Sequence, residues 1–584
     1  MKELYLETFT DVEEDGTCCV PIETVISLFT LAFCDHPPIL LTFVITEKRK
    51  SQAGLKVRMT KLVFEVIEAK EMDGVAGNCM LPVIVTCDGT TAVAGLCAVL
   101  RQVVKVVDQL HPLLGFKQSC LYACAESSLW TKFCEVDIIK MVNDVYLRSN
   151  LKCDNVEIPE EMARFEVHMS QPVRIHNIQK QKQDLAKKKG TERKSRLPDN
   201  RLDLVLELEH VFAEGPNMTL ADVMLFPAFY VTFENLGSVF LKQNLPLSYR
   251  WYETMLGSMQ TQDALKKLVE VEKKFDKEIY VKYVVPQVVQ QSLYKGEMKK
   301  RQPKKHLYTR QEDIIECFEM IDTPETKIEV MSPTFGHEID FDWSTIPPDF
   351  RLDDSQVPVK RLDRKGQQLQ NMTKAVLKIA RTGDIIVDFC SGSGHLGLIL
   401  AYVLPRCSVI LLENKEQSLN RARDRATKLK LSNVIFCQSN VDYFKGHFDI
   451  GVSLHACGVA TDLVMERCIR ENATFVCCPC CYGSIQTNHI ISYPRSQAFR
   501  NTRLTLQEYF VLGHSSDQTH DETNMKTSQG NRCMIAIDTD RCLRAEEAGY
   551  VVSLSKLDPP SCTPKNNLLV GVPAERKTNL NSVP

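Results

Sequence analysis

The sequence predicts an α/β protein of several domains, and three observations lead there. From Pro358 onward strand-like and helix-length runs alternate. Residues 1–113 hold short β-branched runs between helical patterns, and a long helical stretch separates the two. At 584 residues the chain is longer than one hydrophobic core usually organises, so two to four domains are expected. Hydrophobic residues at 44% and charged residues at 25% exclude a mainly disordered, collagen-like or coiled-coil chain. No apolar run approaches the roughly 18 residues of a membrane helix.

Taken in order, Ile39-Leu40-Leu41-Thr42-Phe43-Val44-Ile45 and Pro82-Val83-Ile84-Val85 predict strands, and residues 92–107 a helix. Residues 114–275 read as helical, with no convincing strand. Inside them, 180–196 carries eight Lys/Arg, two acidic residues and hardly any apolar side chain. It predicts either a mobile insertion or a solvated helix extension. Residues 276–357 are ambiguous and read as a linker region. They include a second basic run, 295–310, with seven Lys/Arg and one Glu. In 358–572 the predicted strands are Asp384-Ile385-Ile386-Val387, Ser408-Val409-Ile410-Leu411-Leu412, Val434-Ile435-Phe436, Ile450-Gly451-Val452-Ser453 and Thr474-Phe475-Val476. Helix-length segments between them imply a parallel sheet with crossover helices.

Residues 1–14 are acidic and carry no basic region followed by an apolar one, so a cytoplasmic protein is expected, without a membrane partner. In that compartment the 23 cysteines are expected as reduced thiols. A net charge of −3 announces no nucleic-acid partner by itself, so any basic surface must be local.

The strongest chemistry sits in Val387-Asp388-Phe389-Cys390-Ser391-Gly392-Ser393-Gly394-His395-Leu396-Gly397, a strand entering a glycine-rich turn that opens a helix. Gly392 and Gly394 permit positive φ and close approach of a ligand to backbone, and the helix N-terminus offers free N–H groups. Dinucleotide folds share this pattern, but two features favour S-adenosylmethionine as cofactor. Asp388 would repel a pyrophosphate and can receive a cationic methionine moiety. Glu413 ends the next strand, placed to accept hydrogen bonds from both ribose hydroxyls.

On these residues, 358–572 resembles the class I S-adenosylmethionine-dependent methyltransferases, which implies a doubly wound seven-stranded sheet. Leu454-His455-Ala456-Cys457-Gly458-Val459-Ala460-Thr461-Asp462 and Cys478-Pro479-Cys480-Cys481-Tyr482 resemble one branch of that superfamily. It includes methyltransferase-like proteins and a tRNA 2′-O-methyltransferase. The resemblance implies adenine contacts from Asn440 and Val441 and RNA as the favoured substrate class. The loop departs from the family's D-x-G-x-G-x-G, because its first glycine is Cys390, whose side chain narrows the approach. The segments after the fourth and fifth strands should lie beside the cofactor. That makes His455 the first candidate for base or orienting group and cofactor contact, and Tyr482 the second. A hydrogen-bonded structural histidine is the alternative for His455. Cys477, Cys478, Cys480 and Cys481 are too tightly spaced for one tetrahedral zinc site. A set built from Cys457, Cys480 or Cys481 and His455 stays geometrically open, but buried packing thiols are expected, and no metal.

The first half resembles glutathione transferases. Leu81-Pro82-Val83-Ile84 through Ala98-Val99-Leu100-Arg101 is similar to the second part of their thioredoxin-like domain, where the proline is cis. Gly215 with Thr219-Leu220-Ala221-Asp222-Val223-Met224-Leu225-Phe226-Pro227 is similar to the capped core helix of their all-helical domain. Where that family holds glutathione with polar residues, this chain has Gly95-Leu96-Cys97, so no tight glutathione binding is expected. Cys18 or Cys19, before Pro21, is a candidate thiolate at a helix start. The order of the halves resembles an animal family that joins a glutathione-transferase-like part to a methyltransferase-like part. It implies a non-catalytic module for protein or substrate partners. A catalytically inactive scaffold and a glutathione-dependent transferase stay open as alternatives.

Overall fold

The computed structural model describes residues 2–576, apart from 59–61, 73, 87, 126–127, 148–154, 174–208, 237–241, 269–281, 295–309, 348–349, 351–358, 489 and 520–523. The basic runs 180–196 and 295–310 lie outside the described residues, except Arg310. The chain divides into two compact units, residues 1–301 and 302–584.

In the first unit, β1 (Lys2–Thr8), β2 (Ile39–Ile45), β3 (Phe64–Glu68), β4 (Val83–Val85) and β5 (Thr91–Ala94) stand in the order β5-β4-β1-β2-β3. The β1–β2 and β2–β3 pairs are parallel, and β4 runs antiparallel to both neighbours. Helix α1 (Ile22–Phe33) buries every residue except Glu23, as a helix apolar on all sides must. Pro82 follows a cis peptide bond, and α2 (Leu96–Val104) follows β5. Cys18 is buried, and burial pushes its thiol up to about 12, so it is no thiolate at a helix start.

The rest of this unit is mainly helical: α3 (Ile138–Leu147), α4 (Glu160–Ser170), α5 (Leu220–Leu236), α6 (Pro246–Leu256) and α7 (Met259–Leu268). One short strand was not expected in the helical stretch: Asn155–Glu157 pairs with Lys282–Val284, and three residues carry too little alternation to be read. The capping box at α5 forms only by half. Asp222 accepts the Thr219 N–H at 2.8 Å and its hydroxyl at 3.2 Å, the Ala213 N–H at 2.7 Å and the Trp251 indole at 2.8 Å. The buried carboxylate thus ties the helix start to the loop before it and to α6.

In the second unit the strands are β6 (Val330–Met331), β7 (Ile385–Phe389), β8 (Ser408–Glu413), β9 (Val434–Gln438), β10 (Ile450–Cys457), β11 (Thr474–Cys480), β12 (Tyr550–Lys556) and β13 (Asn567–Pro573). Their order is β6-β12-β13-β11-β10-β7-β8-β9. The five from β7 to β11 are mutually parallel, while β13 runs antiparallel to β11 and β12. The expected seven strands are present, with two-residue β6 added beside β12. That strand, α8 (Gln311–Met320) and the core residues Phe341, Ile346 and Phe350 come from the stretch that sequence left ambiguous. The longer helices are α9 (Val359–Ile379), α10 (His395–Val403), α11 (Glu416–Lys428), α12 (Val459–Arg470), α13 (Leu506–Ser516) and α14 (Met525–Glu547). From β7 the chain moves outward through β8 and β9, then returns to place β10 on the other side of β7. The switch point of the sheet therefore lies between β7 and β10, where doubly wound folds open a crevice at the strands' carboxyl ends. Among the described residues, no helix is long and apolar enough to cross a membrane.

Candidate functional site

The glycine loop follows β7 at that switch point. Cys390, Gly392 and Gly394 have φ of 57°, 57° and 74°, the left-handed region that glycine occupies without cost. Cys390 adopts it despite its side chain. The glycines do different work. A Cβ on Gly392 would meet nothing within 4 Å, so that face of the loop is open. A Cβ on Gly394 would lie 2.9 Å from both Ala422 Cβ and Leu411 Cδ1, and one on Gly397 would lie 2.1 Å from Leu411 Cδ2. Gly394 and Gly397 thus let α10 close onto β8 and α11, leaving Gly392 as the glycine of ligand approach.

Asp388 is only 2% exposed and lies beneath the loop. Its Oδ2 accepts the Gly397 N–H at 2.9 Å, which anchors the first turn of α10. Burial, and then the Glu413 carboxylate, push its carboxyl up to about 7 against that hydrogen bond. The expectation that Asp388 meets a cationic ligand directly therefore gives way to a role in holding the loop. Glu413, 7% exposed at the end of β8, is fixed by two backbone donors. Oε2 accepts the Gly392 N–H at 2.8 Å and Oε1 the Lys415 N–H at 2.9 Å. Each oxygen keeps a lone pair for another donor. Asn440 follows β9 and opens a 3₁₀ turn, Val441–Tyr443, in which Val441 is buried. Since β9 pairs with β8 up to Gln438 opposite Glu413, both residues sit beside the Glu413 strand end.

A β-bulge between Leu454 and Cys457 deforms the end of β10, and His455 takes φ 67°. His455 as a residue is exposed, but the Nε2 side of its ring is partly buried, 2.8 Å from Gln368 Oε1 on α9. The Gln368 amide group donates to the Cys562 carbonyl at 2.8 Å. This orients its oxygen toward the ring, so His455 Nε2 carries the proton and Nδ1 keeps a lone pair. Partial desolvation of the ring, and then the Lys365 charge, hold its pKa below the usual histidine value. His395, the first residue of α10, is engaged otherwise: Arg425 Nη1 donates to its Nδ1 at 2.7 Å and to the Ser393 carbonyl at 3.0 Å. The guanidinium clasps the glycine loop from α11 and occupies that imidazole lone pair.

Two expectations about β11 are corrected. Tyr482 is 1% exposed and faces the interior, donating to Asp538 Oδ2 at 2.6 Å, so it is not a base in the crevice. It belongs to a buried polar group around Arg541, which donates to Asp538 Oδ1 at 3.0 Å and to Asp462 Oδ2 at 2.7 Å. Asp462 of the L-H-A-C-G-V-A-T-D string is structural, and Thr461 donates to the Ala456 carbonyl at 2.6 Å. The cysteines do not act alike. Cys477 and Cys478 are fully buried, as expected of packing thiols. Cys457 is exposed, with its sulfur 3.4 Å from that of Cys480 and 3.3 Å from that of Cys481. Hydrogen bonding from Cys480, and more weakly from Cys481, draws the Cys457 thiol below its ordinary value.

Of the expected site residues, the loop glycines, Asp388, Glu413, Asn440 and His455 lie along one edge of the sheet, whereas Tyr482 turns away. Gln368 and Arg425 were missed. Their only signal is a polar side chain on the inner face of an amphipathic helix, which no local motif marks.

A protein-family profile described as a methyltransferase domain matches residues 364–488. The chain is 39% identical over 612 residues to the glutathione S-transferase C-terminal domain-containing protein homolog of Drosophila melanogaster, covering 98% of this chain and 99% of that one. It is 34% identical over 648 residues to the glutathione S-transferase C-terminal domain-containing protein of Homo sapiens, covering 98% of each. Magnesium protoporphyrin IX methyltransferase from Synechocystis aligns at 13% identity over 38% of this chain and 86% of that one, with a TM-score of 0.24, a likeness too slight to bear on function.

Proposed function

The chain belongs to the family of glutathione S-transferase C-terminal domain-containing proteins, and we propose that it is an S-adenosylmethionine-dependent methyltransferase acting on RNA. One observation carries this: the Glu413 carboxylate is held against the Gly392 N–H at the switch point, with the open face of Gly392 beside it. The donors present suit the cofactor. Glu413 offers two acceptors for the ribose hydroxyls, Asn440 and Val441 would border the adenine, and Asp388 with Arg425 fixes the loop that the methionine part would follow. When bound, S-adenosylmethionine supplies an electrophilic methyl group on a sulfonium. The chain's own task is then to align an acceptor and remove its proton. His455 does the second through Nδ1, while Gln368 fixes its tautomer and direction. The family branch that the Leu454–Asp462 string resembles and the two basic runs in the sequence support RNA as acceptor.

In the first unit we assign residues 1–113 to a degenerate thioredoxin-like domain and 114–275 to a helical glutathione-transferase-like domain. The strand order β5-β4-β1-β2 with β4 antiparallel supports the first assignment. This half serves protein or substrate partners and does not bind glutathione tightly. The Cys97 N–H at the start of α2 is already taken by the buried Glu135 carboxylate at 3.1 Å, and Gly95 and Leu96 offer no polar side chain. We place the protein in the cytoplasm, where its thiols stay reduced.

Transfer of a radiolabelled methyl group from S-adenosylmethionine to cellular RNA tests the proposal. The label should enter RNA with the unmodified chain and not with His455→Ala, which should still bind S-adenosylhomocysteine. Label confined to protein would overturn the substrate class. The alternative is a catalytically silent scaffold, favoured by Cys390 in a glycine's place. Cofactor binding without transfer to any acceptor would establish it.

A further inference from the structure

We propose that Cys457, Cys480 and Cys481 form a three-thiolate site for one zinc ion, its fourth coordination position open to the surface. The three sulfurs lie within 4.8 Å of one another, and among the described residues this is the one group of three or more such side chains so placed. Thiolates about 2.3 Å from a tetrahedral zinc stand about 3.8 Å apart. The two sulfur contacts of 3.4 and 3.3 Å need to open by about half an ångström at most to admit the ion.

The backbone is bent to make this cluster. In a regular strand, consecutive side chains point to opposite faces, so Cys480 and Cys481 would diverge. Cys481 instead takes φ 53°, which turns its sulfur back toward the face that Cys480 uses. On the neighbouring strand the bulge shifts the register so that Cys457 pairs with Cys480. A positive φ at a non-glycine residue is uncommon, and such residues gather at ligand and catalytic sites. Here two of them, His455 and Cys481, flank one cluster. Packing alone needs neither distortion, as the fully buried Cys477 and Cys478 on the same strand demonstrate.

Three soft thiolates, with no carboxylate in the group among the described residues, select zinc over magnesium or calcium. Binding releases the three thiol protons to solvent and leaves one net negative charge on the site. Because Cys457 is exposed, the fourth position takes a water or a soft donor atom of an incoming molecule. The site sits at the carboxyl ends of β10 and β11, the same sheet edge as the glycine loop. It does not depend on the cofactor assignment, so a chain that fails to bind S-adenosylhomocysteine would still test it.

The full chain, produced without a polyhistidine tag in zinc-supplemented medium and dialysed, is assayed for metals by plasma mass spectrometry. One zinc per chain is expected in the unmodified protein and none in Cys457→Ser, whereas Cys478→Ser should keep its zinc. Cys457 is exposed, so its serine variant should fold, and far-ultraviolet circular dichroism checks that. Cobalt(II) added to the chelator-stripped chain should give thiolate-to-cobalt charge-transfer absorption and the visible bands of a tetrahedral ion. Well under one zinc per chain, zinc retained in Cys457→Ser, copper in place of zinc, or a disulfide joining Cys457 to Cys480 or Cys481 would each overturn the proposal.

Discussion

Alanine at Gly392 and at Gly394 should separate the ligand-facing part of the loop from the packed part. Both positions have positive φ, 57° and 74°, and an L side chain in that region costs about 1–2 kcal/mol. At Gly394 the new methyl would also lie 2.9 Å from Ala422 Cβ and Leu411 Cδ1, well inside the usual 3.5–4.0 Å carbon contact. Overpacking of that kind adds about 1–3 kcal/mol. Gly394→Ala should therefore lose about 2–5 kcal/mol, and Gly392→Ala, whose methyl enters open space, about 1–2. The assay is urea unfolding of the full chain, read by hydrogen-exchange mass spectrometry in peptides spanning 385–413, so that only this sheet is followed. Calorimetric titration with S-adenosylhomocysteine is run in parallel. Gly392→Ala should lose less stability than Gly394→Ala yet bind at least about tenfold more weakly than the parent, a difference of about 1.4 kcal/mol. If Gly392→Ala proved the less stable of the two, or bound the ligand as the parent does, the division of labour between the two glycines would be refuted.

Asp388→Asn should stabilise the ligand-free protein in a pH-dependent way. The native carboxyl is held near 7 and the unfolded one near 3.9, so native stability falls as pH rises between those values, by up to about 4 kcal/mol. The advantage of the Asn variant should grow from pH 4 to pH 7 and level off above, and the same urea assay at several pH values measures it; a pH-independent difference would contradict the buried-acid assignment. Arg541→Met strands Asp462 and Asp538 in the interior and should cost about 3–5 kcal/mol, visible as a large drop in urea midpoint; a change below 1 kcal/mol would mean the group is not coupled as described. On immobilised glutathione the unmodified chain should not be retained, and elution by free glutathione would restore the transferase alternative.

The five parallel strands were legible because each is a short β-branched run bounded by turn residues, and the loop was legible because positive φ and close packing leave glycine as the cheap choice. Glu413 followed from the same geometry. Tyr482 misled because sequence places it just after β11 without revealing that its ring turns inward to Asp538. The Gln368–His455 pair joins residues 87 apart, and the Arg541–Asp462 pair residues 79 apart; nothing local announces either. The cysteine cluster depends on a bulge in β10 and one left-handed residue after β11. Neither is visible in a hydrophobic pattern whose only period is two.

Calorimetric titration of the full chain with S-adenosylhomocysteine, beside Glu413→Gln, tests the account most directly. The amide keeps one acceptor for the loop N–H groups but loses the charge that strengthens hydrogen bonds from the ribose, each worth about 1.5–3 kcal/mol. Binding of one ligand per chain, weakened at least about tenfold in Glu413→Gln, is the predicted result. No binding to the unmodified chain, or equal affinity in the two proteins, would contradict it.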